Sequence, residues 1–212
     1  MRTAVVNQVR GLVGEYGIVA PVGIEQLRRA LPCWLEDAEN GLRAAFRAQL
    51  SELREDLQRL DERVQMQDER IAQQAKEDPV ARRLLTLRGV GPVTVTALAG
   101  ALGDGKAFGK GRDFAASLGL TPRQHSTGGK DRLLGITKRG DQYLRKLLVH
   151  GARAVIRHAA HRDDGLSRWV NARAARKHTN VATVALANKT ARMAWAIVHG
   201  GVDYDPALAA AV

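Results

Sequence analysis

The sequence comprises 212 residues, with a formal net charge of +11 and a single cysteine, Cys33. One cysteine excludes a disulfide framework within the chain and is typical of a protein that works in a reducing cytoplasm. No apolar run approaches the ~20 residues that a membrane-spanning helix needs, so we expect no membrane partner.

Charge divides the sequence into an acidic part and a basic part. Residues 1–78 contain 11 Lys and Arg against 14 Asp and Glu, whereas residues 79–212 contain 22 against 8, with no glutamate. This asymmetry favours a polyanionic partner for the second part. Nucleic acid is the first expectation. An acidic membrane surface is the weaker alternative, because no basic amphipathic helix with Trp and Phe on its apolar face stands out.

The acidic part, residues 1–78, is predicted to be helical. Helical spacing of apolar residues indicates short helices over 2–15 and 24–31, the second ending before Pro32. A long helix is predicted over 37–76, where apolar side chains recur at alternating steps of four and three. This helix either pairs with another copy as a coiled-coil arm or folds back on the two short helices. Its heptad stripe consists of Phe46, Leu50, Leu53, Leu57, Leu60, Val64 and Ile71.

The basic part is predicted to be a compact helical domain over residues 79–200, followed by a tail at 201–212. Its glycine-rich segment 121–135 favours a small β-hairpin. The predicted fold class is therefore mainly α: a long coiled-coil-like arm followed by a helical domain. The helices of this domain are indicated over 82–87, 93–102, 114–118, 139–160, 166–177 and 180–199.

A tight turn, Gly89-Val90-Gly91-Pro92, lies between two predicted helices. This pattern is typical of a helix-hairpin-helix element, whose turn amides and following helix N-terminus favour a phosphate. Gly89 and Gly91 are therefore candidate nucleic-acid contacts. A plain interhelical turn accounts for the same four residues.

The segment from Gly119 to Lys130 places two hydroxyls, Ser126 and Thr127, beside the pair Gly128-Gly129 and among cationic side chains. A hydroxyl held against a phosphate is a candidate nucleophile. The simpler interpretation is a hairpin loop with a Ser/Thr turn. His125 is not assigned as a base, because neighbouring residues of an extended strand point to opposite faces.

The expected nucleic-acid contacts are the turn glycines and the cations near the hydroxyl loop, since Lys and Arg neutralise backbone phosphates. No metal site is predicted, because the acidic residues of the basic part are scattered. The candidate contacts are Gly89, Gly91, Lys106, Lys110, Arg112, Arg123, Lys130, Arg132, Lys138, Arg139, Arg145 and Lys146.

Four ordered motifs together resemble a known family. They are the turn at 89–92, the hydroxyl loop at 119–130, Gly-Ile-Thr-Lys-Arg-Gly-Asp at 135–141 and Tyr-Leu-Arg-Lys-Leu-Leu-Val-His-Gly-Ala-Arg at 143–153. They resemble the C-terminal serine domain of bacterial insertion-sequence transposases that carry an N-terminal RuvC-like domain, a family of bridge-RNA-guided DNA recombinases. The likeness extends over roughly residues 2–206.

The resemblance implies a DNA-breaking and DNA-rejoining enzyme in which a serine of this loop becomes covalently linked to DNA. Carried over, the nucleophile is Ser126, with Thr127 as the alternative because the motif register is ambiguous by one residue. DNA, a guide RNA and a second copy bound through the coiled-coil arm are the implied partners. The rival interpretation is a non-catalytic coiled-coil protein that binds DNA or RNA.

The sequence departs from the family pattern in one respect. The family's RuvC-like domain, with its four metal-binding acids, would precede residue 1, and these 212 residues contain no equivalent of it. We therefore expect the chain to represent the C-terminal portion of a longer transposase. No cofactor is expected in this chain, and magnesium is expected only in the RuvC-like domain. The isolated chain is expected to bind nucleic acid without turnover.

Overall fold

The computed structural model describes residues 1–206 and shows a mainly helical protein with one small antiparallel sheet. Contacts between Cα atoms divide the chain into two compact units, Met1–Arg70 and Ile71–Val212. The described elements are α1 (Arg2–Gly14), α2 (Ile24–Glu36), α3 (Ala44–Glu77), α4 (Pro79–Leu84), α5 (Pro92–Leu102), α6 (Gly111–Ser117), β1 (Pro122–Gln124), β2 (Leu133–Ile136), α7 (Gln142–Ala159), α8 (Gly165–Ala174) and α9 (Thr179–Gly200).

The first unit has its own apolar core, built by α1, α2 and the first part of α3. Of the two alternatives for the heptad stripe, the fold-back onto α1 and α2 applies to its first four residues, which are buried in this core and not available to pair with another copy. Farther along α3, the side chain of Val64 is 42% exposed. Arg2 of α1 and Arg28 of α2 both form ion pairs with Asp61 of α3. The stripe residues in the core are Phe46, Leu50, Leu53 and Leu57.

Two predicted helix ends in this unit were wrong. Helix α2 does not stop before Pro32 but continues to Glu36, although proline removes one helical hydrogen bond. Trp34 and Leu35, which follow the proline, pack against the core and offset that loss.

The other wrong end is the start of α3, which begins at Ala44 rather than at 37. The connection before it is held by Arg47, whose guanidinium donates to the carbonyls of Trp34 at 3.0 Å and Leu35 at 2.8 Å. These two carbonyls lie in the last turn of α2, where helix geometry leaves them without a partner along the helix. The hydrogen bonds from Arg47 to these carbonyls stabilise the turn between α2 and α3, so α3 does not extend back to residue 37.

The second unit packs its helices around a separate apolar core. Buried residues from α5, α6, α7 and α9 meet there, among them Leu98, Phe114, Leu148 and Ala191. The ring N–H of Trp195 donates to the carbonyls of two residues in the connection between α5 and α6. No helix within residues 1–206 is both long and apolar enough to cross a membrane.

The predicted tail, 201–212, is described in part. In the described portion, Tyr204 packs against the core of the second unit. Asp203 forms an ion pair with Arg83 of α4, with 3.7 Å between Oδ1 and Nε. Residues 207–212 lie outside the described residues.

Candidate nucleic-acid interface

The hydroxyl loop and the following strand β2 form a two-stranded ribbon over residues 122–136. Close backbone contacts hold the base of this ribbon together. A Cβ on Gly119 would lie 2.2 Å from the carbonyl oxygen of Arg139, and one on Gly140 would lie 1.7 Å from that of Ser117. Both glycines also have positive φ angles, +66° and +74°, which side-chain-bearing residues rarely adopt. The two ends of the ribbon are therefore held together through glycine.

The side chain of Arg145 also connects the two chain segments at this base. Its Nη1 donates to the carbonyls of Leu118 and Arg139, at 2.9 Å in each case. The guanidinium thus joins the segment that precedes β1 to the segment that follows β2. This role is structural, and a nucleic-acid contact by Arg145 stays a prediction.

The tip of the ribbon is a two-residue turn formed by Gly128 and Gly129. Their φ angles are +58° and +75°, and the N–H of Lys130 donates to the carbonyl of Thr127 at 3.1 Å. Positive φ at both central positions is the signature of a type I′ turn, which matches the twist of the strands it joins. The turn fixes which residues of the two strands face each other.

Ser126 lies opposite Asp131 across the ribbon, and their side chains are hydrogen-bonded. The Ser126 hydroxyl donates to Oδ1 of Asp131 at 3.0 Å. The side-chain amide of Gln124 donates to Ser126 Oγ at 2.9 Å and to the same carboxylate oxygen at 3.2 Å. All three residues are exposed. Ser126 is therefore an accessible alcohol with a carboxylate in position to accept its proton.

Strand alternation separates the two candidate hydroxyls. The register pairs Thr127 with Lys130 and Gln124 with Leu133. Because successive side chains of a strand point to opposite faces, Ser126 shares its face with Gln124 and Asp131, whereas Thr127 lies on the other face. The same alternation places His125 on the face opposite Ser126.

A comparison with known proteins adds to this geometry. Residues 81–167, which include the whole ribbon, match the model of the family described as "Transposase IS116/IS110/IS902 family". The chain is therefore similar to this transposase family over that segment.

Relatives with curated descriptions extend the similarity over most of the chain. It is 44% identical over 206 residues, 97% of its length, to a "Probable family 20 transposase" of Pseudomonas aeruginosa. It is 40% identical over 96% of its length to the transposase for insertion sequence element IS1328 of Yersinia enterocolitica. It is 39% identical over 93% of its length to that for IS1111A of Coxiella burnetii. The chain spans 61%, 60% and 54% of these three relatives, respectively.

The remaining predicted contacts fall into separate groups. Arg123, Lys130 and Arg132 are exposed on the ribbon. At the ribbon base, Lys138 shares a cleft with Arg145 and Lys146 of α7. Lys110 and Arg112 at the start of α6 line another cleft, and Lys106 forms an ion pair with Asp104 at 3.4 Å.

The two turn glycines differ in their surroundings. Gly89 has a φ angle of +78°, and a Cβ there would lie 2.7 Å from the carbonyl oxygen of Gly151 in α7. Gly91 is exposed and precedes the first residue of α5, Pro92. Packing explains the glycine at 89, and phosphate binding at either position stays a prediction.

Sequence reasoning missed Asp131 and Gln124. Asp131 was counted among scattered acids, although a signal was present: a two-residue Gly-Gly turn places residues 127 and 130 opposite each other. Extending that register by one pair brings Ser126 and Asp131 together. The hairpin register, applied to the residues flanking the turn, thus predicts the contact.

The family resemblance implies magnesium in the RuvC-like domain and not among these residues. Across the part of the chain that is described, no group of three or more His, Cys, Asp or Glu side chains is placed to hold a metal ion.

Proposed function

We propose that the chain supplies the DNA-cleaving serine of an insertion-sequence transposase, and that Ser126 is this nucleophile. One observation carries the proposal: the exposed Ser126 hydroxyl donates to Asp131 at 3.0 Å on a ribbon that also carries cations. Serine is a weak nucleophile until a neighbouring group accepts its proton. Asp131 is the group in position to do so.

The proposed step is a transesterification at a DNA phosphate. Ser126 Oγ attacks phosphorus as its proton passes to Oδ1 of Asp131. The new Oγ–P bond forms while the bond from phosphorus to one deoxyribose oxygen breaks. That oxygen leaves with the electron pair and takes the proton from Asp131. The resulting serine phosphodiester conserves the bond energy, so a deoxyribose hydroxyl can attack it in reverse and rejoin a strand.

The cations of the ribbon and its base have two roles in this proposal. Lys and Arg neutralise backbone phosphates, which brings the strand to the ribbon. Their positive charge also stabilises the negative charge that develops on the phosphoryl oxygens in the transition state. Those cations are Arg123, Lys130, Arg132, Lys138 and Arg139, of which the first three are on the ribbon itself.

Ser126 is preferred over Thr127 because of its surroundings. Ser126 has Gln124 and Asp131 as hydrogen-bond partners on its own face of the ribbon. Thr127 is on the other face, away from the carboxylate. A threonine nucleophile would therefore need a base from elsewhere.

The proposal includes partners and context. DNA is the substrate, a guide RNA binds the complete enzyme, and the protein works in the cytoplasm. A second copy associates through the part of α3 beyond the buried stripe, where Val64 and Met66 are exposed. We expect these 212 residues alone to bind DNA without turnover, because they span 61% of the Pseudomonas relative.

The test uses a chimera in which this chain replaces the 204 matched residues of the IS1328 transposase of Yersinia enterocolitica. The chimera is incubated with the DNA ends of that element and with RNA transcribed from it, then denatured and analysed on a gel for a covalent protein–DNA adduct. We expect an adduct with the parent chimera and with Thr127→Ala, and none with Ser126→Ala. Asp131→Asn should slow adduct formation by about 10²–10⁴-fold, the usual contribution of a general base.

The outcomes separate this proposal from its rivals. An adduct that survives Ser126→Ala and disappears in Thr127→Ala would assign the reaction to the other hydroxyl. Salt-sensitive DNA binding by the parent chimera, with no adduct, would favour the non-catalytic DNA- or RNA-binding protein. Rescue of Asp131→Asn by Asp131→Glu, with a shifted pH–rate profile, would support proton transfer over a structural role.

A further inference from the structure

A cavity of about 910 Å³ opens between the ribbon and helices α8 and α9, all within the second unit. This volume lies in the range of pockets that hold small molecules, roughly 300–1,000 Å³. Neither the serine reaction nor the predicted phosphate contacts use this cavity, apart from Lys138 at its edge.

Apolar side chains form part of the lining of the cavity. They include Leu134 and Ile136 of β2 and Val181 and Val184 of α9. Leu134 is 36% exposed and Val181 is 53% exposed, so these side chains are open to an incoming group. A flat or aliphatic group that covers them removes apolar surface from water and is stabilised by that burial.

Cationic side chains also line the cavity. They are Lys138, Arg173, Lys189 and Arg192, and none of the described lining residues is acidic. Lys189 is 2% exposed, and Lys189 Nζ and Arg173 Cζ lie 4.9 Å and 4.7 Å from the ring centre of Trp169. Burial, together with repulsion from Arg192 and Arg173, lowers the pKa of Lys189. An anion beside Arg173 and Arg192 interacts favourably with their positive charge.

We propose that this cavity binds an unpaired nucleotide of the DNA, with its base against the apolar side chains and its phosphate against the cations. A nucleotide combines a flat, largely apolar base with a phosphate, which is the combination that this mixed lining complements. A base paired in a duplex cannot reach such a cavity and must first leave the stack. The inference rests on the proposed function, because it assumes that DNA is the substrate.

The position of the cavity relates it to the proposed nucleophile. Pro122 of β1 lines the cavity, and Ser126 follows four residues later, about 13 Å along an extended strand at ~3.3 Å per residue. The cavity is therefore within a few nucleotides of a phosphate held at Ser126. Holding an unpaired nucleotide there would anchor the strand near the cleavage point.

The test measures binding of the purified chain to two short duplexes of the same arbitrary sequence. One contains a single unpaired 2-aminopurine nucleotide as a bulge, and the other contains the same nucleotide paired. We expect the bulged duplex to bind about tenfold more tightly, since placing one base against a protein surface contributes on that order. Fluorescence anisotropy of an end label gives both affinities, and 2-aminopurine emission reports the environment of the base.

Two variant pairs assign the preference to the cavity. Val181→Trp places a large ring in its mouth, and Val202→Trp is the matched control, because Val202 is similarly exposed at 55% and does not line the cavity. Arg173→Gln removes one cation from the lining, and Arg176→Gln is its control on the same segment. We expect Val181→Trp and Arg173→Gln to lose the bulge preference while keeping paired-duplex affinity within about twofold, and both controls to retain it.

Three results would overturn the proposal. Equal affinity of the parent chain for both duplexes would remove the unpaired-nucleotide site and leave the proposed function intact. Binding of neither duplex would overturn both. A bulge preference that persists in Val181→Trp and Arg173→Gln would place the nucleotide elsewhere. Light scattering of the parent chain and of Val181→Trp completes the test. If the parent chain is a dimer, Val181→Trp is a monomer and both duplexes bind equally, the cavity is assigned to a second copy.

Discussion

Gly89 and Gly151 meet backbone to backbone, because a Cβ on Gly151 would lie only 1.9 Å from the carbonyl oxygen of Gly89. Gly89 belongs to the turn before α5, and Gly151 lies in the interior of α7. A contact this close leaves no space for a side chain on either residue. The glycine-rich turn is therefore docked on α7, which contributes to the position of α5 in the core.

The first prediction concerns this contact. Gly151→Ala should destabilise the second unit by about 1–3 kcal/mol or more, because the added methyl group overlaps a backbone carbonyl and overpacks the core. Urea unfolding followed by circular dichroism measures the change. Gly100→Ala in α5 is the control, since a Cβ there meets nothing within 4 Å. It should be neutral or stabilise by about 0.5–1 kcal/mol through helix propensity. Equal effects of the two changes would refute the close contact.

A second prediction concerns Asp164, which caps α8. Its carboxylate accepts from the backbone N–H and the hydroxyl of Ser167, at 2.9 Å each, and from Arg88 Nη1 at 2.6 Å. Burial raises the pKa of Asp164, but the hydrogen bonds from Ser167 and the charge of Arg88 outweigh it, so the pKa lies below its usual value. Asp164→Asn should lower the free energy of unfolding by about 1 kcal/mol at neutral pH, because the pair is partly exposed.

The sign of this pKa shift sets the pH dependence. A carboxyl group with a lowered pKa in the folded state contributes its stability above the unfolded pKa of about 3.9. This contribution to stability is lost as the pH falls through the pKa of the folded state. The stability difference between the parent and Asp164→Asn should therefore be constant from about pH 5 to 7 and shrink below about pH 4. The neighbouring Asp163, 88% exposed in its pair with Arg168, is the control: Asp163→Asn should change stability little, because exposed ion pairs contribute little.

The third prediction tests where the heptad stripe is buried. Leu50 is fully buried in the core of the first unit, whereas Val64, farther along the same helix, is 42% exposed. Leu50→Ala should cost about 2–5 kcal/mol, as large-to-small changes in cores do. Val64→Ala should change the stability of the dilute protein by less than about 0.5 kcal/mol, as exposed substitutions do. A large loss with Val64→Ala that depends on protein concentration would show that this part of α3 is buried between copies.

The fourth prediction rests on the proposed DNA binding. Lys130→Gln and Arg132→Gln on the ribbon should each weaken duplex binding and lower the slope of log affinity against log salt by about 0.9 for each lost phosphate contact. Arg63→Gln in α3 is the control, since Arg63 is exposed but lies in the acidic first part. Titrations at several salt concentrations measure the slopes. An unchanged slope in both ribbon variants would remove the ribbon from the DNA interface.

Much of the candidate site is encoded within a short segment. The Gly128-Gly129 pair specifies the turn, the turn specifies the strand register, and the register brings Ser126 and Asp131 together. Apolar periodicity likewise predicted the helices of both units, with errors at Pro32 and the start of α3 in the first unit and of about three residues at several helix ends in the second. The two errors in the first unit arose where partners distant in the sequence, the core contacts of Leu35 and the hydrogen bonds of Arg47, outweighed local preference.

The sequence by itself determined the helical class, the charge asymmetry and the hairpin, because helix periodicity and turn chemistry depend on residues a few positions apart. Only the tertiary structure decided that the first part of the heptad stripe is covered by α1 and α2, that Gly89 docks on Gly151, and that Arg145 locks the ribbon base. It alone gathered Lys138, Arg173 and Lys189 around one cavity. Which surface covers a stripe, and which carbonyl a guanidinium meets, depends on packing between segments far apart in the chain.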